Sequence, residues 1–373
     1  MRTLIVLGTR PEAIKMAPLV NVLKKDPEID TKVCVTAQHR QMLDSMLGFF
    51  RVRPDYDLDV MAPDQSLLGM TSRALAGLDS VLSDARPDLV LVQGDTSTTL
   101  AAALSAHYRQ ISVGHHVEAG LRTGNMSAPW PEEANRRLTS VLATYHFAPT
   151  SHARDNLLRE GVSEDRIHIT GNTVVDALLE TVAGMHEDAV QRKALDTRFA
   201  FLNSEKRLIL VTGHRRENLG EGHEAVCLAL LEIAQRGDVE IVFPVHLNPG
   251  VKRPVHRLLA NIRGVFLIEP QDYLPFVYLM NRAALIITDS GGIQEEAPAL
   301  GKPVLVTRET TERPEAVAAG TAKVVGTDQA VIVAEATRLL DDPASYAAMA
   351  RAANPYGDGK AAQRIRDILV STR

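Results

Sequence analysis

One three-part unit recurs along this chain and limits how it can fold: a short aliphatic run, a turn rich in glycine or polar residues, then a helical pattern. Residues 4–7 lead into Gly8-Thr9-Arg10-Pro11 and a helix over 13–25. The run 32–36 precedes a helix near 40–50, and 88–92 precedes Gly94-Asp95-Thr96 and a helix over 98–108. Runs at 111–116, 145–148 and 167–169 continue the series. Short apolar runs without polar alternation are the mark of parallel strands covered by helices on both faces. The rhythm fades over 180–206, which reads as a linker, and restarts at 208–212, 239–244, 265–268, 285–288, 303–306 and 322–325. Two such series predict an α/β chain of two Rossmann-like domains facing across a cleft. The expected division is 1–175 and 176–358, with a final helix, 359–373, able to pack on either domain and joined to the first in this division.

The 373 residues are 45% hydrophobic and 23% charged, an ordinary globular mix that excludes disordered and fibrous classes. Against 46 Asp and Glu there are 41 Lys and Arg, a formal charge of −5. That balance leaves no basic footprint for nucleic acid or a membrane surface. No apolar stretch reaches the ~20 residues of a membrane span, and the N-terminal run is too short for a secretory signal. Cys34 and Cys227 are the only cysteines, read as reduced core thiols, so a cytoplasmic protein is expected. The histidines, among them His115, His116, His146 and His246, show no metal-ligand spacing, so no metal is expected.

In parallel sheets, ligands sit beyond the carboxyl ends of the strands, and four groups of chemistry-bearing residues stand there. Gly8-Thr9-Arg10-Pro11-Glu12-Ala13-Ile14-Lys15 puts Arg10 and Lys15 beside a helix start, where unpaired N–H groups favour anions; a solvated basic turn is the plainer alternative. Asp289-Ser290-Gly291-Gly292-Ile293-Gln294-Glu295-Glu296 lets the backbone approach a diphosphate closely, with Glu296 placed for ribose hydroxyls and Arg313 as a bidentate phosphate clamp; a glycine-rich helix start used only for packing is the alternative. Carboxylates end three loops: Asp95, Glu118, and Glu132 with Glu133. Asp95 also suits a helix cap, and Glu132 and Glu133 also suit an acidic first turn. Glu118 follows an apolar run, where partial burial would raise its pKa toward acid/base use. Fourth, Gly213-His214-Arg215-Arg216-Glu217-Asn218 offers a phosphate ligand or proton donor in His214, or simply a polar surface turn.

Together these motifs resemble the non-hydrolysing UDP-N-acetylglucosamine 2-epimerases of GT-B fold. The ordered matches are Gly-Thr-Arg-Pro-Glu-Ala-Ile-Lys at 8–15, Thr-Ala-Gln-His-Arg at 36–40, Gln-Gly-Asp-Thr at 93–96, His-Val-Glu-Ala-Gly-Leu-Arg-Thr at 116–123, Pro-Trp-Pro-Glu-Glu-Ala-Asn-Arg at 129–136, Gly-Asn-Thr-Val-Val-Asp at 171–176, Thr-Gly-His-Arg-Arg-Glu-Asn at 212–218 and Asp-Ser-Gly-Gly-Ile-Gln-Glu-Glu at 289–296. The resemblance implies a homodimer that interconverts UDP-GlcNAc and UDP-ManNAc for bacterial surface polysaccharides. It implies UDP contacts from Arg10, His214, Ser290, Gly291, Gly292, Glu296 and Arg313. Lys15, Asp95, Glu118, Glu132 and Arg136 would surround the sugar, with His214 joining the catalytic set. A second, activating UDP-GlcNAc pocket would involve Gln38, Gln41, Arg215 and His246, although Asp64 stands where such members carry Arg.

The chemistry of the substrate agrees. C2–H of an N-acetyl sugar is not alpha to a carbonyl, and nothing in the sequence resembles a site for NAD or another electron sink, so no cofactor is expected. The remaining route breaks the C1–O bond to UDP as a base removes H2, giving a 2-acetamidoglucal; UDP then returns with a proton on the other face. Rival readings are a hydrolysing epimerase that releases ManNAc, a GT-B glycosyltransferase sharing the nucleotide site, and a silent nucleotide-sugar sensor.

Overall fold

The aliphatic runs form two parallel sheets. The computed structural model describes residues 1–38, 40–62, 64–115 and 118–372. Its first sheet contains β1 (Arg2–Leu7), β2 (Asp30–Val35), β3 (Tyr56–Asp57), β4 (Leu89–Val92), β5 (Ser112–His115), β6 (Tyr145–Ala148) and β7 (Ile167–Ile169), in the order β3-β2-β1-β4-β5-β6-β7. The second contains β8 (Arg207–Thr212), β9 (Val239–Pro244), β10 (Val265–Ile268), β11 (Leu285–Thr288), β12 (Val304–Val306) and β13 (Ala322–Val324), in the order β10-β9-β8-β11-β12-β13. Every pairing is parallel among the described residues, as strand–helix–strand crossovers require.

In the first unit the connections are α1 (Arg10–Lys25), α2 (Arg40–Phe49), α3 (Leu67–Ala85), α4 (Ser97–Tyr108), α5 (Glu132–Leu142) and α6 (Ser151–Arg159). Local chemistry fixes α1: Thr9 caps it, Glu12 completes a capping box, Pro11 occupies its first turn, and Lys24 and Lys25 close it. Helices on both faces explain why β1 and β4 read as unbroken apolar runs. Leu4, Ile5, Val90 and Leu91 are each no more than 1% exposed. Cys34 and Cys227 are buried free thiols, each pushed up to about 12 chiefly by burial, and so chemically quiet.

The chain divides into two compact units, Met1–Ala177 with Tyr356–Arg373, and Leu178–Pro355. The polar stretch 180–206 is not an open linker. It forms the end of α7 (Thr173–Glu187) and all of α8 (Ala189–Arg198), with Asp188 capping α8. Its apolar positions are sparse, but Leu195, Phe199 and Leu202 are buried, and that suffices to fold it. The second sheet is then wrapped by α9 (Glu221–Ala234), α10 (Pro249–Leu259), α11 (Tyr273–Arg282), α12 (Gly291–Glu296), α13 (Pro314–Ala318), α14 (Gln329–Asp341) and α15 (Pro343–Ala350). The last helix, α16 (Ala361–Ser371), belongs to the first unit: buried Asp176 accepts the N–H groups of Ala361 and Ala362 at 3.2 and 2.8 Å, capping it.

One glycine controls the loop behind β5. Gly120 has φ +86°, and a Cβ there would lie 2.0 Å from the Ala153 carbonyl oxygen. Gly120→Ala therefore has to displace that loop, and unfolding in urea should show a loss of at least about 2 kcal/mol.

Candidate active site

The order of the first sheet reverses between β1 and β4, so the loops after these strands diverge and leave space at their carboxyl ends. The charged residues collect there. Lys15, on the second turn of α1, meets Glu118 directly. The other Glu118 oxygen accepts Gln93 Nε2 at 3.2 Å. Glu118 is 8% exposed and sits at φ +66°, a conformation that costs a side-chain-bearing residue energy and that its surroundings must impose. Asp95 pairs with Arg136 Nη2 at 2.6 Å, and its carbonyl accepts Asn135 Nδ2 at 2.8 Å. Burial first, and the Glu118 charge second, push the Asp95 carboxyl above its ordinary range, against Arg136 and Lys15.

These contacts separate the alternatives left open by the sequence. Asp95 is not the cap of α4; its neighbour Thr96 is. Glu132 and Glu133 both open α5 but differ in surroundings. Glu133, fully buried, accepts from Thr123 N at 3.1 Å, Gly124 N at 3.3 Å and Arg136 Nη1 at 3.3 Å. Burial pushes its carboxyl up, but Thr123, Arg136 and Gly124 outweigh that and hold it below its usual range. Glu132 instead keeps one buried oxygen, Oε2, without a hydrogen-bond partner. Arg10 is the first residue of α1. His39, His116 and Val117, parts of the quoted motifs, lie outside the described residues.

The second sheet repeats the device between β8 and β11. Asp289, fully buried at the end of β11, accepts the main-chain N–H of His214 and of Arg215, both at 2.8 Å, and so ties the loop after β8 to the start of α12. Its other oxygen lies 3.4 Å from His214 Nδ1. Burial lowers the His214 imidazole pKa, against the pull of Asp289, and Arg215 and His246 lower it further. Ser290, Gly291, Gly292 and Glu296 follow around α12, with Ser290 at its cap. The guanidinium groups of Arg313 and Arg215 flank Gly291, each just under 4 Å from where a Cβ would stand. Arg313 is 7% exposed and held by Glu295.

Of the residues expected at a second pocket, Gln38 and Gln41 belong to the first unit and Arg215 and His246 to the second. Arg215 shares the Gly291 corner with Arg313, and the His246 ring lies 5.7 Å from that of His214, nearly parallel. Gln38 follows β2 with a buried Oε1 lacking a partner, whereas Gln41 on α2 and Asp64 are exposed. Among the described residues, no group of three His, Cys, Asp or Glu side chains is placed to hold a metal.

A family model described as UDP-N-acetylglucosamine 2-epimerase matches residues 21–370. The chain belongs to the UDP-N-acetylglucosamine 2-epimerase family. It is 59% identical to the UDP-N-acetylglucosamine 2-epimerase of Salmonella typhimurium over 374 aligned positions, covering all of this chain and 99% of that protein. Among solved structures it is similar to the Neisseria meningitidis UDP-GlcNAc 2-epimerase bound to UDP-GlcNAc, with TM-score 0.90, 52% identity and full coverage of both chains. It also resembles the Methanocaldococcus jannaschii enzyme in complex with UDP-GlcNAc and UDP, with TM-score 0.80, 36% identity and full coverage of both chains.

The motifs of this epimerase contain contributors that sequence reasoning did not single out. Asp289 and Gln93 hold other groups in place, and of these two Asp289 alone had a visible signal, a carboxylate between an apolar run and Ser-Gly-Gly. Arg136 holds the fully buried Glu133 and the partly buried Asp95 at once, so Arg136→Met should cost about 3 kcal/mol near neutral pH. Asp95 has a folded-state pKa above its unfolded one, so it favours folding below the unfolded value and loses that contribution as pH rises through the folded one. Loss of Arg136 pushes Asp95 higher and releases Glu133 upward too. The deficit should therefore grow from mildly acidic to neutral pH in urea denaturation; a deficit independent of pH would contradict this account.

Proposed function

We propose that the chain interconverts UDP-N-acetylglucosamine and UDP-N-acetylmannosamine reversibly at C2, by eliminating UDP to a 2-acetamidoglucal and adding it back. The ligands named for the Neisseria and Methanocaldococcus enzymes, UDP-GlcNAc and UDP, are assigned here to this chain. The observation that carries the reading is the Asp95–Glu118 pair: two carboxyls of one cluster in which burial, and after it the Glu118 charge, favour proton retention on Asp95. Such a pair can take a proton from one face of C2 and supply one to the other. Glu132, with its unpartnered oxygen, is the third acid available to the sugar.

In the forward step the C2–H electrons form the C1=C2 bond and the C1–O pair leaves with UDP. In the return step a diphosphate oxygen attacks C1 and C2 receives its proton from the opposite side. Lys15 and Arg136 keep the acids correctly charged, and Arg10, His214, Ser290, Gly291, Gly292, Glu296 and Arg313 hold the departing diphosphate and its nucleoside. Cations and N–H groups fixed before the reaction stabilise charge as it appears on UDP, without reorganisation. The same reading makes the protein a cytoplasmic homodimer without nucleic-acid or membrane partners. Its formal charge and buried thiols accord with this, and among the described residues no helix is long and apolar enough to cross a membrane.

Incubation with UDP-GlcNAc in heavy water should place deuterium at C2 of UDP-ManNAc with little free sugar. Stoichiometric free ManNAc would make the enzyme hydrolytic, and absence of exchange would favour a transferase or a sensor. Glu118→Gln should abolish exchange while UDP affinity stays near that of the unsubstituted protein. Arg313→Ala should weaken UDP binding by at least about tenfold in calorimetric titration, as loss of a buried phosphate clamp requires.

A further inference from the structure

Glu12 is 1% exposed, yet no step above uses it. A helix cap accounts for only half of its contacts. Oε2 accepts the N–H of Gly8 at 2.9 Å and of Thr9 at 2.7 Å, which completes the start of α1. Oε1 turns instead to the start of α4, beyond the neighbouring strand β4, accepting the Thr96 hydroxyl at 2.7 Å, with the Thr99 hydroxyl 3.3 Å away. Capping boxes ordinarily sit at the surface, and burying a carboxylate is unfavourable unless each oxygen finds donors. Burial does push the Glu12 carboxyl up, and the Thr96, Gly8 and Thr9 donors oppose it.

The contacts close a ring. Thr96 follows Asp95 directly and caps α4. The Thr99 hydroxyl donates to the Gln93 carbonyl at 2.6 Å, Gln93 Nε2 donates to Glu118, and Glu118 meets Lys15, three residues beyond Glu12 on α1. The first turns of α1 are therefore tied to the turn after β4 at two points. One uses Glu12, and the other passes through the Lys15–Glu118 pair itself. The pairing of β1 with β4 sets the strands that precede helix and turn, and the Glu12 tie adds a side-chain bond between them that does not run through the ion pair.

We propose that Glu12 is a positioning residue: through Thr96 it fixes Lys15 and Glu118 against Asp95 in reacting geometry. This rests on the reading that these three groups form the reaction centre. Reacting groups moved by fractions of an ångström lose rate more than affinity.

Glu12→Asp shortens the reach by one methylene, and Thr96→Val removes the hydroxyl, so the same tie is cut from both ends. Each should lower kcat and C2 deuterium exchange by at least about tenfold, with KM and UDP affinity within about twofold. Thr96→Ser, which keeps hydroxyl and cap, should restore the rate. The double variant should be no slower than the worse single one, as expected for one shared interaction. Equal exchange in the Glu12→Asp protein, or additive losses in the double variant, would overturn the proposal while leaving the epimerase reading intact. Absence of exchange in the unsubstituted enzyme would overturn that reading and this proposal with it. A lowered Tm with unchanged kcat would reduce Glu12 to a helix cap.

Discussion

Lys15 against Glu118 is the interaction on which the first unit's chemistry depends, because a buried charge obliges everything around it to compensate. Glu118, Asp95 and Glu133 are carboxyls of this cluster, with Lys15 and Arg136 as their cations. Arg136 already serves Glu133, whose main-chain donors hold it ionised. Arg137 reaches Glu133 as well, at 3.4 Å. Burial, and after it the Glu118 charge, favour keeping a proton on Asp95 against the pull of Arg136 and Lys15. A solvated turn with the same residues would ionise throughout and have no proton to give.

The second unit is built with the opposite bias. Asp289 is committed to main-chain N–H groups, and Glu295 to Arg313. Arg215 and Arg313 converge on buried Gly291, at a helix start that no side chain caps. Burial, with Arg215 and His246, keeps His214 below its ordinary pKa against the pull of Asp289, which favours the neutral, hydrogen-bonding imidazole. In the proposed mechanism one unit moves a proton and the other receives negative charge. Elimination of a diphosphate asks for both.

The sequence made the strands legible because buried parallel strands are locally unambiguous. Tyr145–Ala148, Val239–Pro244 and Leu285–Thr288 begin and end where their apolar runs do. β3, two residues long, carries no such signal, and α8 was obscured because only scattered apolar positions hold it down. Candidate residues stood out in the sequence where chemistry and chain position coincide, as at Lys15, Asp95 and Ser290. Glu132 and Glu133 could not be told apart in the same way, since their difference lies in Thr123, Gly124 and Arg136. Roles of that kind are written in tertiary contacts.

Equivalent glycines show how one backbone solution serves two chemistries. Gly8 follows β1 and Gly213 follows β8, each the strand beside its sheet's reversal. A Cβ on Gly8 would fall 2.3 Å from Thr36 Oγ1 and 2.4 Å from Thr98 Oγ1, hydroxyls that hydrogen-bond one another at 2.7 Å. A Cβ on Gly213 would fall 2.8 Å from Cε1 of buried His223. In both units the missing side chain lets a neighbour close under the loop and hold it at the strand end. What the loop then presents differs: Arg10 and Lys15 in one, His214 and Arg215 in the other. The fold supplies the position twice, and in the proposed reading the residues set upon it decide whether that position handles a proton or a phosphate.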